Sequence, residues 1–305
     1  MTRIVAIGEC MVEMAPVAAM GQFRLGYAGD TLNTAWYLRR LLKSDDQIDY
    51  FTAVGTDALS DQMIYFLKTA GIGTRCILRR DDKSVGLYMI QLRNGERSFC
   101  YWRGDSAART LAADPQSLLA ALDGADLAYF SGITLAILPP TDRNRLLTVL
   151  RGFRNAGGVV AFDPNLRPKL WASLDEMTQA VMQAAAVSDI ALPSYDDEAQ
   201  WFGDDSPKAT LQRYAAAQVA CCIVKNGSGR ITAFDAGQGI SCDPIQDVTL
   251  VDSTAAGDSF NAGFIVARLQ GADLRDAVQS GASLAAQVIA KFGALVEVDV
   301  KRAPG

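Results

Sequence analysis

The sequence predicts an α/β fold with a mostly parallel central sheet covered by helices on both faces. Three observations predict it. Apolar runs of strand length alternate with amphipathic helical segments along most of the chain. Several runs are apolar at nearly every position, such as TRIVAIG (2–8) and GVVAFD (158–163), which suits strands buried on both faces. Polar or glycine-rich residues follow the runs, where open α/β sheets bind their ligands. The chain has 305 residues and is 50% hydrophobic. That is enough for a large core, and we expect one unit over 1–305 with a small β appendage.

Taken in order, residues 2–8 read as a buried strand and 9–28 as short mixed segments with Gly21 and Gly26. Asp30 or Thr31 then caps a helix whose apolar side includes Ala35, Leu38 and Leu42. Residues 49–54 predict a strand, 58–70 a helix closed by Gly71, and 75–80 another strand. The runs VGLYMIQL and RSFCYWR flank Arg93-Asn94-Gly95-Glu96, and Asn-Gly between alternating runs signals a β-hairpin. A hairpin has no place in a parallel sheet, so 85–103, with parts of 9–28, predicts the appendage. Helices over 114–122, 141–155, 174–186 and 207–217 lead into strands 126–131, 158–163, 188–192 and 220–225. Short antiparallel strands over 230–235 and 240–243 follow. An apolar strand end over 248–251 and helices 257–270 and 273–291 close the pattern.

Net charge is −5 with a sequence pI near 4.9. This argues against a nucleic-acid or anionic-membrane partner. There is no histidine, which removes Ser-His-Asp triads, Cys-His dyads and histidine metal sites. Acid–base chemistry must rest on Asp, Glu, Lys, Tyr or Cys. Cys10, Cys76, Cys100, Cys221, Cys222 and Cys242 form no CxxC pair, which suits free thiols in a cytoplasmic protein. The chain starts in a strand and contains no long apolar span, so we expect a soluble protein without a membrane partner.

The stretch that organises the chain is LVDSTAAGDSFNAGF (250–264). A turn of small residues, Ser253 to Gly257, opens a helix with Phe260, Phe264 and Ile265 on its apolar side. Small residues admit a ligand close to the backbone, and a helix start favours an anion. Asp258 has two readings. It caps the helix, as Asp often does, or it is a base that takes a proton from a hydroxyl beside N–H groups that steady a phosphoryl group. Asn33 likewise bonds locally or contacts a ligand. Gly227-Ser228-Gly229 is a phosphate cradle or a plain turn, and it lacks the ending of a Walker loop. Lys225 pairs with phosphate or is an ordinary surface cation. Asp196-Asp197-Glu198 helps hold magnesium or is the acid-rich start of a helix. Arg103 and Arg167, with Tyr88 and Tyr101, frame an acidic sugar or form exposed ion pairs and packed aromatics.

Together these residues resemble the ribokinase-like (PfkB) family of carbohydrate kinases. The matches span nearly the whole chain. They are Gly29-Asp30 with Asn33, the hairpin, Asp163-Pro-Asn165-Leu-Arg167, Lys225 with Gly227, and DSTAAGDSFNAGF. GECMVEM, GDTLNTAWYL, YWRGDSAAR, SGITLA and FDPNLRPKLW are most similar to the branch that phosphorylates 2-keto-3-deoxygluconate. The resemblance implies a three-layer ribokinase-like α/β core with a small β-sheet lid, ATP and Mg2+ as cofactors, and a homodimer through the lid. It implies Asp258 as base and the amides of Ala255, Ala256 and Gly257 as the anion hole. Gly29, Asp30, Asn33, Tyr88, Tyr101, Arg103, Ile133 and Arg167 would hold the sugar acid. Asn165, Ser194, Lys225, Gly227, Ser228 and Gly229 would lie along ATP. Two departures stand out. Ala255 replaces the family's glycine, and Asp197 stands where the magnesium motif has Glu, which implies contact through water. A kinase of a neutral sugar, or an inactive sugar or nucleotide sensor, are the other functions these residues admit.

Overall fold

Strand Arg3–Ile7 is buried at every position, and its side chains serve two cores. Ile4 and Ala6 pack with Leu127, Tyr129 and Ala161 on one face. Val5 and Ile7 pack with Phe130, Val160 and Phe162 on the other. Side chains alternate along a strand, so a sheet apolar on both faces must be covered twice. The computed structural model, which describes residues 1–17, 21–93 and 96–299, does this. Helices Asp30–Leu41, Ala256–Leu269 and Leu274–Ile289 contribute to the first core. Helices Pro115–Leu122, Pro140–Asn155 and Leu174–Ala185 contribute to the second.

The sheet has eight strands in the spatial order Gln238–Cys242, Ile231–Asp235, Cys221–Val224, Ile190–Ala191, Val159–Asp163, Leu127–Ser131, Arg3–Ile7, Gln47–Phe51. From Cys221–Val224 to Gln47–Phe51 all neighbours are parallel. The two strands at the other edge are antiparallel. The expected three-layer α/β core is therefore borne out. So is the expected small sheet. Its order is Phe23–Ala28, Met11–Pro16, Gly86–Arg93, Glu96–Trp102. The hairpin pairs Tyr88 with Tyr101 and Leu87 with Trp102. Its expected turn, Asn94-Gly95, lies outside the described residues.

Three expectations are corrected. Residues 248–251 form no strand, and Leu250 and Val251 are 66% and 53% exposed. Their apolar character reads as a strand, but they join no ladder among the described residues. Instead the Val251 and Asp252 amides donate to the Ile289 carbonyl at 2.8 and 3.1 Å. The expected strand 49–54 divides at Thr52, and the expected strand 75–80 shortens to Leu78–Arg80. That strand pairs with Ala53–Gly55 in a separate two-stranded ribbon. Two short helices lack a long apolar period and escape a pattern search: Gly132–Ile137, opened by a Ser131–Thr134 capping box, and Tyr195–Phe202, closed by Gly203 at φ 74.

The last two long helices cross closely. A Cβ on Gly263 would lie 2.9 Å from the Ser280 carbonyl, and one on Gly281 would lie 2.8 Å from the Phe260 carbonyl. Backbone atoms cannot swing aside, so the crossing tolerates only glycine. We expect Gly281→Val to cost about 2–3 kcal/mol of stability in urea unfolding, as overpacking does. Gly152 lies within helix Pro140–Asn155 with open space at its Cβ position. Gly152→Ala should change stability in the opposite direction, by roughly 0.5–1 kcal/mol.

Candidate active site

Three segments bring three carboxylates together, and each segment also brings an asparagine. Helix Asp30–Leu41 carries Asp30 and Asn33. The end of strand Val159–Asp163 carries Asp163, with Asn165 just beyond. Helix Ala256–Leu269 carries Asp258 and Asn261. The asparagines are exchanged in a ring. Asn33 Nδ2 donates to Asp258 Oδ2 at 2.8 Å, Asn261 Nδ2 to Asp163 Oδ2 at 2.6 Å, and Asn165 Nδ2 to Asp30 Oδ2 at 2.8 Å. Lys225 Nζ joins from the end of strand Cys221–Val224, donating to Asp163 Oδ2 at 3.2 Å and to Asn261 Oδ1 at 3.0 Å. Asn165 takes φ 36, a left-handed conformation that Asn tolerates better than most residues.

Asp258 is not the helix cap. Helices opened by Asp57, Asp114, Ser173, Ser206 and Asp273 all have a side chain that accepts from the first turn. Helix Ala256–Leu269 has none, and its N-cap is Ala255 at φ 60, ψ 16. Alanine in that region carries a strain of about 1–2 kcal/mol. Asp252 braces the turn: its Oδ1 accepts from the Thr254 amide at 3.1 Å and its Oδ2 from the Gly293 amide at 2.9 Å. The structure differs from the expected anion hole at Ala256, whose amide already donates to the Ser253 carbonyl at 3.2 Å. The amides of Ala255, Gly257 and Asp258 have no acceptor among the described residues. Lys225 Nζ lies 3.4 Å from where a Gly257 Cβ would be, so an ammonium stands beside the turn.

The Asp258 carboxyl is 9% exposed. Burial first, then the neighbouring Asp30 and Asp163, pushes it up to about 8, against the Asn33 bond and Lys225. Burial also raises the Asp30 carboxyl. A base needs affinity for a proton close to working pH, and this environment supplies it.

Of the residues expected along a sugar acid, Asp30 and Asn33 belong to this centre, and several others are already paired. Gly29 is the N-cap of the first helix, with its amide 3.4 Å from Asn33 Oδ1. A Cβ there would strike the Glu9 carbonyl at 2.3 Å. Ile133 sits half-buried in the first turn of Gly132–Ile137. Tyr88 donates its hydroxyl to Glu13, Arg103 is paired with Glu9, and Arg167 Nη1 reaches Asp197 Oδ2 at 3.3 Å. Tyr88 and Tyr101 rings are 5.8 Å apart, and burial raises the Tyr101 phenol while Arg103 and Arg167 both pull it down. Tyr101 thus lies in the field of both arginines.

On the other side, Ser194 bridges to Lys225. Gly227 takes φ 49, and Gly229 donates its amide to the Asn226 carbonyl at 2.6 Å. Ser228 is exposed between them. Burial raises the Asp197 carboxyl, against the pull of Arg167. Glu198 turns inward, fully buried, and accepts from Arg213 at 2.7 Å and from the Tyr214 hydroxyl at 3.0 Å. It is a structural acid. No group of three or more His, Cys, Asp or Glu able to hold a metal occurs among the described residues.

Sequence reasoning missed Asn261, Tyr129 and Glu9, and quoted Asp163 without a role. Tyr129 sits 3.0 Å from Asn261 Nδ2. One signal was available: Asp30-x-x-Asn33 and Asp258-x-x-Asn261 repeat one spacing at two helix starts.

The model of the pfkB family of carbohydrate kinases matches residues 1–300. The chain belongs to that family. It is 41% identical over 308 residues to the 2-dehydro-3-deoxygluconokinase of Haemophilus influenzae, covering 97% of this chain and 96% of that one. It is 38% identical over 301 residues to the 2-dehydro-3-deoxygluconokinase of Escherichia coli K12, covering 96% and 97%. A solved E. coli protein of the ribokinase II type, in complex with ATP and Mg2+, superposes with a TM-score of 0.83 at 23% identity over 97% of this chain and 95% of that one. The pfkB enzyme described here is thus an ATP-dependent sugar kinase. Among its described residues, no helix is long and apolar enough to cross a membrane.

A base works only when ionised, so with Asp258 in that role kcat/KM for the sugar should climb as pH rises and level off above about 8. Asn33 favours the ionised form, so Asn33→Ala should move that limb to higher pH. A rate profile over pH 5.5–9.5 for both proteins, with ADP release as the readout, checks both shifts; a flat wild-type profile counts against Asp258 as the base.

Proposed function

We propose that this kinase transfers the γ-phosphoryl group of ATP to O6 of 2-keto-3-deoxygluconate. The observation that carries the reading is identity of 38–41%, nearly end to end, to relatives that bear that activity's name. The site's chemistry supports it. Arg103 and Arg167 both act on Tyr101, and a carboxylate is the group that a pair of guanidinium ions recognises best.

In this mechanism Asp258 takes the proton from O6 as O6 forms its bond to the γ-phosphorus. The bond from that phosphorus to the β,γ-bridging oxygen breaks, and ADP leaves. The free amides of Ala255 and Gly257, with Lys225, face the charge on the moving group, while Ala256 keeps its amide in the turn. Asn33 orients the base, and Asp30 and Asn165 hold sugar hydroxyls or the ends of the phosphates. Ser194, Gly227, Ser228 and Gly229 lie along the nucleotide. The absence of a metal cluster among the described residues fits magnesium that keeps its waters and is carried by phosphates. Asp197 would meet it through water, and the ion would offset phosphate charge. The whole chain acts as one kinase unit, and a homodimer through the small sheet accounts for the exposed Phe23, Leu25 and Trp102 there.

Asp258→Asn should lower kcat by about 10²–10⁴-fold while ATP still binds. Arg167→Ala should raise KM for the sugar acid by about tenfold or more, the worth of one charge-assisted bond, and leave KM for ATP unchanged. A panel of 2-keto-3-deoxygluconate, gluconate, fructose and ribose, read by coupled ADP release, tests the substrate. Preference for fructose or ribose would overturn the acidic-sugar reading.

A further inference from the structure

The chain passes between the core and the small sheet at four places: residues 8–10, residue 29, residues 84–85 and residues 103–106. Glu9 lies on the first, packs against the second, bonds to the fourth, and stands beside Gly86, where the third enters the small sheet. It lies on the first crossing and is 2% exposed. Its carbonyl packs against Gly29 on the second, 2.3 Å from where a Cβ would be. Its Oε1 lies 2.8 Å from the Cβ position of Gly86, at the end of the third, and accepts from Ser106 Oγ at 2.5 Å on the fourth. Its Oε2 accepts from Arg103 Nη2, also on the fourth.

Arg103 is 10% exposed, and its Nε is buried without an acceptor among the described residues. A guanidinium is rigid and planar, so holding one nitrogen fixes the direction of the others. An unsatisfied buried donor is costly, and a ligand oxygen on that edge removes the cost.

We propose that Glu9 is a positioning residue for substrate recognition: it fastens the crossings between core and lid and holds Arg103 so that its remaining donors meet the carboxylate of the sugar acid. This rests on the acidic-sugar reading above. Glu9 touches no reacting atom. Its contribution is to the selectivity for acids over neutral sugars, through Arg103, and to the angle at which the lid joins the core.

Steady-state kinetics on Glu9→Gln, Arg103→Ala and the double variant test this, with each melting temperature recorded. Glu9→Gln keeps the volume and the Ser106 bond but loses the ion pair. It should raise KM for 2-keto-3-deoxygluconate about tenfold, with kcat and KM for ATP within about twofold of wild type. In the Arg103→Ala background the same change should add nothing, because the two residues act as one unit. Independent, multiplying effects, or an unchanged KM, would overturn the proposal. Should Glu9→Gln fold poorly, Ser106→Ala removes the other partner of Glu9 and should raise the same KM more weakly; no rise would also overturn it. If wild-type enzyme prefers a neutral sugar, the function reading fails by that result alone, whatever the double-variant cycle gives.

Discussion

The active end of this molecule depends on holding three carboxylates close together with one ammonium among them. Asp30, Asp163 and Asp258 repel one another, and Lys225 offsets part of that charge. Burying charge without partners is prohibitive. The ring of asparagines resolves it. Each carboxylate receives a side-chain amide hydrogen from another segment, so the three segments are locked together while their charges are hydrogen-bonded. What remains unbalanced falls on Asp258, whose carboxyl is pushed up to about 8 by burial and by Asp30 and Asp163. The arrangement that holds the fold together at this end also gives one of its acids the proton affinity that the proposed mechanism asks of a base.

The start of helix Ala256–Leu269 shows the same exchange of local stability for chemistry. Several other helices here satisfy their first turn with Asp or Ser. This one places Ala255 in a strained left-handed conformation and leaves amides of the turn open. A capping side chain would fill the space before those amides, where the proposed mechanism steadies an anion. Strain persists only where the surroundings enforce it. Here Asp252 pins the turn to the segment after the last helix through Gly293, and the Gly263–Gly281 crossing fixes the helix behind it.

Much of this was legible in the sequence because it is local. Asp258 with its small-residue turn, Asn33 one turn into a helix, and polar tips after apolar strands are short patterns. What was not legible depends on partners far along the chain. Asn33 and Asp258 are 225 residues apart, and Asn261 and Asp163 are 98 apart. No spacing rule connects them, so neither Asn261 nor Glu9 was given a role of its own. The strand expected over 248–251 failed for a related reason. Leu250 and Val251 have the composition of a strand, but pairing is decided by whether a neighbouring edge is free, and apolar character alone does not provide one.

The paired state of the sugar-side residues bears on selectivity. Tyr88, Arg103 and Arg167 each already meet a carboxylate of the protein: Glu13, Glu9 and Asp197. A neutral sugar arriving there has only hydroxyls to offer in place of those carboxylates, and it must strip a charged partner to be bound. A sugar acid replaces like with like. The pairs differ in how readily they give way. Arg167 is 51% exposed, and exposed ion pairs are typically worth under about 1 kcal/mol, so Asp197 is easily displaced. Arg103 and Glu9 are both buried, and parting them would leave an uncompensated charge in the interior. On the proposed reading, Arg167 therefore turns to the substrate while Arg103 stays where Glu9 holds it. In that proposal one arginine turns and one stays fixed, and recognition of the acid would begin with the fixed one.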